Sequence, residues 1–224
     1  RDGSGLQRLA KGTAAQELRM NSGATAPEWH TPAVASSDFV RITTNTLGSD
    51  TTTWSIDNVF SATYKNYIVK IALRCGSAGG DIVLRYLDNS GSEVGLANYR
   101  GQAAGSQNTS SGANNTEARA NWGTNAHYIT GFGDTLGSYQ TPNAINLHGT
   151  LNFTHPFTSS GMGYMGKMFN GLINWTGSSG DRSMLGYVGG YYNQNLQARG
   201  FILASTTGNG IGANSQVVVY GLKQ

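Results

Sequence analysis

A chain of 224 residues is long enough to enclose a core, and Gly at 32 positions, roughly twice ordinary usage, with charged residues at about half the globular norm, excludes a helical bundle. Four Pro and no G-x-y period exclude collagen. Fifteen Lys and Arg against twelve Asp and Glu, spread along the chain, make no concentrated phosphate footprint, so nucleic acid is not an expected partner.

Residues 1–35 differ from the rest. Leu6, Leu9, Ala10, Ala14 and Leu18 recur at near-helical spacing, but Gly12 and Thr13 interrupt them, so the pattern predicts one or two helical turns at most. So short a segment cannot bury its own apolar side chains, and the cheapest partner is a second copy. Residues 21–32 are small residues and Pro around Trp29, which predicts an extended connector pinning one aromatic anchor. Leu6, Leu9, Leu18 and Trp29 are therefore the candidate oligomer interface, and a stalk over 1–35 leading into a head over 36–224 is the expected organisation.

From Asp38 onward the period switches to two. Strands are predicted over 39–44, 52–56, 67–75, 81–87, 93–100, 116–129, 144–154, 164–174, 184–192, 199–205 and 216–221. Tyr67, Val69, Ile71, Leu73 and Cys75 share one face of the third, and Ile82, Leu84 and Tyr86 one face of the fourth. Gly76 to Gly80 lies between, so the two are expected to form a hairpin. Residues 101–115 lack any large apolar side chain and are expected to be a long loop. Many antiparallel-looking strands without intervening helices predict an all-β, two-sheet β-sandwich of jelly-roll type. No apolar run approaches the ~18 residues needed to cross a bilayer, so membrane insertion is not expected.

Chemistry-bearing motifs are sparse. A single cysteine, Cys75, excludes an internal disulfide and any Cys-based zinc site. Residues 161–166 match G-x-G-x-x-G, but His155 and Pro156 precede it and Asn170, Gly171 and Asn174 follow. The strand-turn-helix that holds a pyrophosphate is therefore missing, and a glycine-rich turn is the better reading. His30, His127, His148 and His155 show no metal-ligand spacing, and no G-x-S-x-G occurs. No metal, cofactor or catalytic residue is expected. A carboxylate pair assembled in space, such as Glu117 with Asp134, keeps a glycan depolymerase as an alternative.

Aromatics among amides are the remaining signal, because a sugar offers C–H faces to a ring and hydroxyls to Asn and Gln. Trp122, Tyr139, Trp175, Tyr191, Tyr192 and Asn193 are the candidate receptor or glycan contacts. Trp122 and Trp175 have a competing reading as core or interface anchors. Tyr191 and Tyr192 are adjacent on a predicted strand, so they point to opposite faces and one can reach solvent.

Residues 12–29 carry G-T-x-x-Q-x-L-x-x-N-x-G-x-x-x-P-x-W in full, from Gly12 to Trp29, and this segment resembles a connector of bacteriophage tail fibres. Residues 60–67 (F-x-x-x-Y-x-N-Y) and 219–222 (V-Y-G-L) are similar to the start and finish of virion fibre heads, notably in phages of cyanobacteria. The resemblance implies a homotrimer on the virion. Its amino-terminal segment would contact other virion proteins, and its β-sandwich head would bind a host receptor, a glycan or a protein. It carries over no binding residues. A structural virion component without receptor binding, such as a decoration or baseplate protein, is the main alternative.

Overall fold

The computed structural model describes residues 8–32, 37–77, 80–95, 98–108, 114–130, 145–157, 167–176, 183–192 and 194–223, without the side chains of 107, 108, 114–124, 145, 146, 183 and 184. Within them the chain is all-β: fourteen strands, no helix, and antiparallel pairing throughout. Two compact units divide between Ser37 and Asp38.

The first unit is built on a hairpin of β1 (Glu17–Met20) and β2 (Pro27–His30), which corrects both the helical turns and the extended connector expected there. The reason is local hydrogen bonding. Gln16 Oε1 accepts the Thr13 N–H at 2.8 Å, and Asn21 Oδ1 accepts the Thr25 N–H at 2.9 Å, so these side chains close the turns on either side of β1. Ala15 and Ala24 take left-handed backbone, with φ of 66° and 53°. Trp29 Nε1 donates to the Ala10 carbonyl at 2.6 Å, and its ring lies so close over Gly12 that a Cβ there would stand 2.6 Å from it. Gly12, Thr13, Gln16, Asn21 and Trp29 are all lettered positions of the connector pattern. Gly12→Ala is expected to push the indole off its seat and break the bond to Ala10. The Trp29 indole N–H resonance would report this, and an unshifted resonance would count against the seat.

The second unit holds β3 (Phe39–Thr46), β4 (Thr53–Ile56), β5 (Asn66–Arg74), β6 (Ile82–Leu87), β7 (Tyr99–Asn108), β8 (Asn114–Thr124), β9 (His127–Tyr128), β10 (Ile145–Thr154), β11 (Lys167–Thr176), β12 (Ser183–Tyr192), β13 (Gly200–Ser205) and β14 (Gln216–Leu222). They form an eight-stranded sheet, β3-β14-β5-β10-β11-β12-β7-β8, and a four-stranded sheet, β4-β13-β6-β9. One apolar core contains the inward faces of both: Tyr67, Val69, Ile71 and Leu73 of β5 with Leu147, Leu151 and Phe153 of β10, against Ile82, Leu84 and Tyr86 of β6 and Phe201 and Leu203 of β13.

Three expectations are corrected here. β5 and β6 do not pair, since β5 lies between β14 and β10 while β6 lies between β13 and β9 in the other sheet. Their two apolar faces meet across the core, which buries more than placing them side by side would. The expected loop over 101–115 is largely strand: β7 runs to Asn108 and β8 starts at Asn114, paired to each other, with 109–113 outside the described residues. The strand expected over 93–100 begins only at Tyr99, after a single bridge from Glu93 to Leu87.

The two head motifs form one contact. Tyr67 Oη accepts the Ser61 N–H at 2.7 Å and donates to the Ser61 carbonyl at 2.8 Å, while Phe60 packs on the Tyr67 ring edge-on at 4.8 Å. Gly221 pairs with Tyr67, and a Cβ on it would meet the Tyr64 ring at 2.6 Å. A glycine in the finishing motif is therefore required by the tyrosine of the starting one. Nearby, Arg199 Nε and Nη2 donate to the two carboxylate oxygens of Asp57 at 2.7 and 2.5 Å, and this bond holds the Asp57 carboxyl below the usual carboxylate range.

Candidate functional site

Strict alternation along β11, β12 and β7 decides what the outer face of the eight-stranded sheet presents. On β12, Val188 and Tyr192 turn inward, so Leu185, Tyr187, Gly189 and Tyr191 turn outward. On β11, Phe169, Ile173 and Trp175 are inward, and Met168, Asn170 and Leu172 are outward. The register then sets these side chains in rows across the strands. Met168, Tyr191 and Arg100 form one, Asn170, Gly189 and Gln102 the next, and Leu172, Tyr187 and Ala104 a third.

Gly189 leaves the middle row without a side chain at its centre. Tyr187 and Tyr191 stand on either side of the gap, about 13 Å apart along the strand. The result is an open depression of about 440 Å³, lined by Tyr187, Tyr191, Met168, Arg100, Gln102 and Asn170 around the glycine. Tyr187 is 54% exposed and Met168 40%. Asn152 Nδ2 donates to Asn170 Oδ1 at 3.2 Å, which sets the orientation of the Asn170 amide. Two rings, two carboxamides and one guanidinium thus face solvent around a hollow, an arrangement that offers stacking surfaces and hydrogen bonds.

The floor is rigid for an identifiable reason. Gly190 and Gly101 face inward, paired with each other, and His127 of the other sheet fills the space beneath them: a Cβ on Gly190 would lie 2.5 Å from its ring. His127 is 1% exposed and ringed by Phe169 at 4.7 Å and Tyr99 at 4.8 Å, and burial pushes its imidazole down to about 3. By contrast a Cβ on Gly189 meets nothing closer than 3.4 Å. Adjacent glycines therefore do opposite jobs, Gly190 making room for the core and Gly189 opening the outer face.

The structure separates the residues expected from sequence. Tyr191 lines the depression, while Tyr192 is buried at 2% exposure with its ring 4.9 Å from Tyr99, as adjacent residues on a strand require. Trp175 is also a core residue, at 2% exposure, so it packs the interior rather than offering a face to a ligand. Tyr139 and Asn193 lie outside the described residues. Trp122 is described only in its backbone, on β8 opposite Arg100. Leu9, Leu18 and Trp29 are exposed on the first unit, with Leu18 and Trp29 paired across the hairpin; Leu6 and the 161–166 motif lie outside the described residues. Tyr187, Arg100, Gln102, Met168 and Asn170 line the depression without having been among those candidates. The signal for Tyr187 was present, because Tyr187, Gly189 and Tyr191 share parity on one strand, but Gln102 and Asn170 join them only through strand pairing.

Among the described residues no group of three or more His, Cys, Asp or Glu could hold a metal ion, and no helix is long and apolar enough to cross a membrane. The half-buried Cys75 thiol is pushed up by burial and the nearby Asp50 charge, which disfavours its nucleophilic form. Compared with known proteins, the chain matches no protein-family model and no curated protein.

Proposed function

We propose that this chain is a phage virion fibre protein whose head binds a host surface glycan through the depression between Tyr187 and Tyr191. The observation that carries this reading is the pair of outward tyrosines flanking Gly189 with Asn170 and Gln102 in the gap. A pyranose presents C–H faces that stack on phenol rings and hydroxyls that suit carboxamides. The head is a two-sheet sandwich of jelly-roll type. In support, the orders β3-β14-β5-β10 and β4-β13-β6-β9 alternate early and late strands in each sheet, as two wrapped Greek keys do, with β11-β12-β7-β8 as an added wing.

The amino-terminal unit is the particle-proximal, trimerising end. Leu18, Met20 and Trp29 are all exposed on its hairpin, and a lone two-stranded hairpin is marginal in water, so copies packing these residues together would stabilise one another. Three linked heads convert weak sugar contacts into firm attachment. No catalytic role is assigned. A second reading, a structural virion component, draws support from Leu172 and Leu185, exposed at 50% and 45% beside the depression, where a neighbouring subunit could cover them.

The test is staining of bacterial cells by the labelled, intact chain, with and without periodate oxidation of surface sugars. Saturable, periodate-sensitive staining is expected. Tyr191→Ala should weaken it about tenfold, the scale of one lost stacking contact, and Gly189→Val should block it while leaving the melting temperature unchanged. Staining that survives periodate, or is indifferent to both substitutions, would sink the glycan reading; assembly on particles without any cell staining would favour the structural one.

A further inference from the structure

Resting on the glycan reading, we infer that the depression selects a sugar carrying a carboxylate, such as a hexuronic acid, with Arg100 as its anion-binding residue.

Arg100 and Tyr191 are direct cross-strand partners on β7 and β12, in the row that also holds Met168. Neighbouring strands stand about 4.8 Å apart, so a sugar ring stacked on Tyr191 brings its edge over the Arg100 side chain. In a hexuronic acid the carboxylate projects from the ring edge, leaving the stacked face undisturbed. The two contacts are therefore compatible in one pose. Arg100 Nη1 donates to its neighbour's carbonyl, that of Tyr99, at 3.4 Å, which directs the guanidinium along its own strand. A guanidinium carries five N–H donors in a planar fork, so it can serve more than one partner within the chain and a ligand carboxylate together.

The rest of the lining agrees with that choice. Among the described residues around the depression Arg100 is the single charged one, and the other polar groups, Gln102, Asn170, Tyr187 and Tyr191, are neutral. Among the described lining residues no carboxylate repels an acidic ligand. A neutral sugar would use the rings and amides and leave the guanidinium without a role in recognition. An amino sugar would meet a like charge at the same edge.

The experiment uses the intact chain and the surface polysaccharide extracted from cells that it stains, immobilised in three forms: untreated, periodate-oxidised, and with carboxyl groups reduced to alcohols by carbodiimide and borohydride. Binding to the untreated form is expected to fall about tenfold on carboxyl reduction, the scale of one charge-assisted hydrogen-bonded contact, and to weaken with added salt. Arg100→Gln should bind the untreated form only as well as the wild-type chain binds the reduced form, and should not discriminate between the two. Binding abolished by periodate yet unchanged by carboxyl reduction would overturn the acidic class and leave the glycan reading standing. Binding indifferent to periodate, or no stained cells at all, would overturn both. Because the decisive arms alter the polysaccharide, the result does not depend on how well the variant folds.

Discussion

Replacing Phe153 with Ala is expected to lower the melting temperature of the chain by roughly 10 °C. Phe153 is 1% exposed on β10, between Tyr67 of β5 and Phe169 of β11. Its ring lies 5.5 Å from Phe201, 5.1 Å from Phe60 and 6.3 Å from Tyr86. Phe201 and Tyr86 belong to the four-stranded sheet, so this one ring fastens the two sheets together. Removing it deletes apolar contacts on several sides and leaves a cavity between β-strands whose backbones are pinned by pairing and cannot collapse, at a cost of about 3–5 kcal/mol. Asn152→Ala, one residue away on the outer face, is the control and should shift stability by no more than about 0.5 kcal/mol. Calorimetry of both variants checks the contrast; equal, small shifts would mean that the sheets do not share this core.

The second large effect is a pH dependence set by His127. Among the described residues neither ring nitrogen has a hydrogen-bond partner, and burial holds the imidazole neutral down to about pH 3, against an ordinary value of 6.5. Tyr86 and Tyr99, the polar rings closest to it, are themselves pushed up by burial and stay neutral across this range. Below the ordinary value the unfolded chain takes up a proton that the folded chain refuses, so the unfolded state is favoured progressively as pH falls. This contribution is fully present above pH 6.5 and is lost at about 1.4 kcal/mol per pH unit down to about pH 3, where the folded form also protonates. Asp57, whose carboxyl is lowered chiefly by its hydrogen bond to Arg199, adds a loss in the same direction, but only below its ordinary value of 3.8. Denaturant melts of the wild type and His127→Leu between pH 4 and pH 7 separate the two. The variant should show the flatter curve, and parallel curves would exclude His127 as the cause. Because His127 backs Gly101 and Gly190, the same acid sensitivity reaches the floor of the proposed receptor site.

How much of that site could be read in advance depended on the kind of information each residue carries. Tyr191 and Tyr192 were separable from parity alone, since consecutive strand residues must face opposite ways. Trp175 was not: its parity with Phe169 and Ile173 places it inward, yet nothing local states which face of β11 meets the core. Gln102 sat in a tract of Gly, Ser, Ala and Asn that has no strand propensity of its own and becomes β7 because β12 and β8 pair with it on either side. In the first unit the Gly12, Gln16, Asn21 and Trp29 positions were conspicuous as a pattern, but their purpose, closing turns and seating an indole, appears only when the hairpin is formed.

The amino-acid sequence by itself determined the all-β character, the positions of β4, β5, β6, β10, β13 and β14 to within a residue or two, and the apolar faces of β5 and β6. A period of two in hydrophobicity is a local property, and a strand's own side chains are enough to express it. Which strand pairs with which was decided only by the tertiary structure. β5 and β6 looked like a hairpin because a flexible turn joins two apolar faces, and side-by-side pairing and face-to-face packing satisfy that local pattern equally well. The choice went to the arrangement in which both faces are buried against other strands far away in the chain, a term that no local stretch of sequence contains.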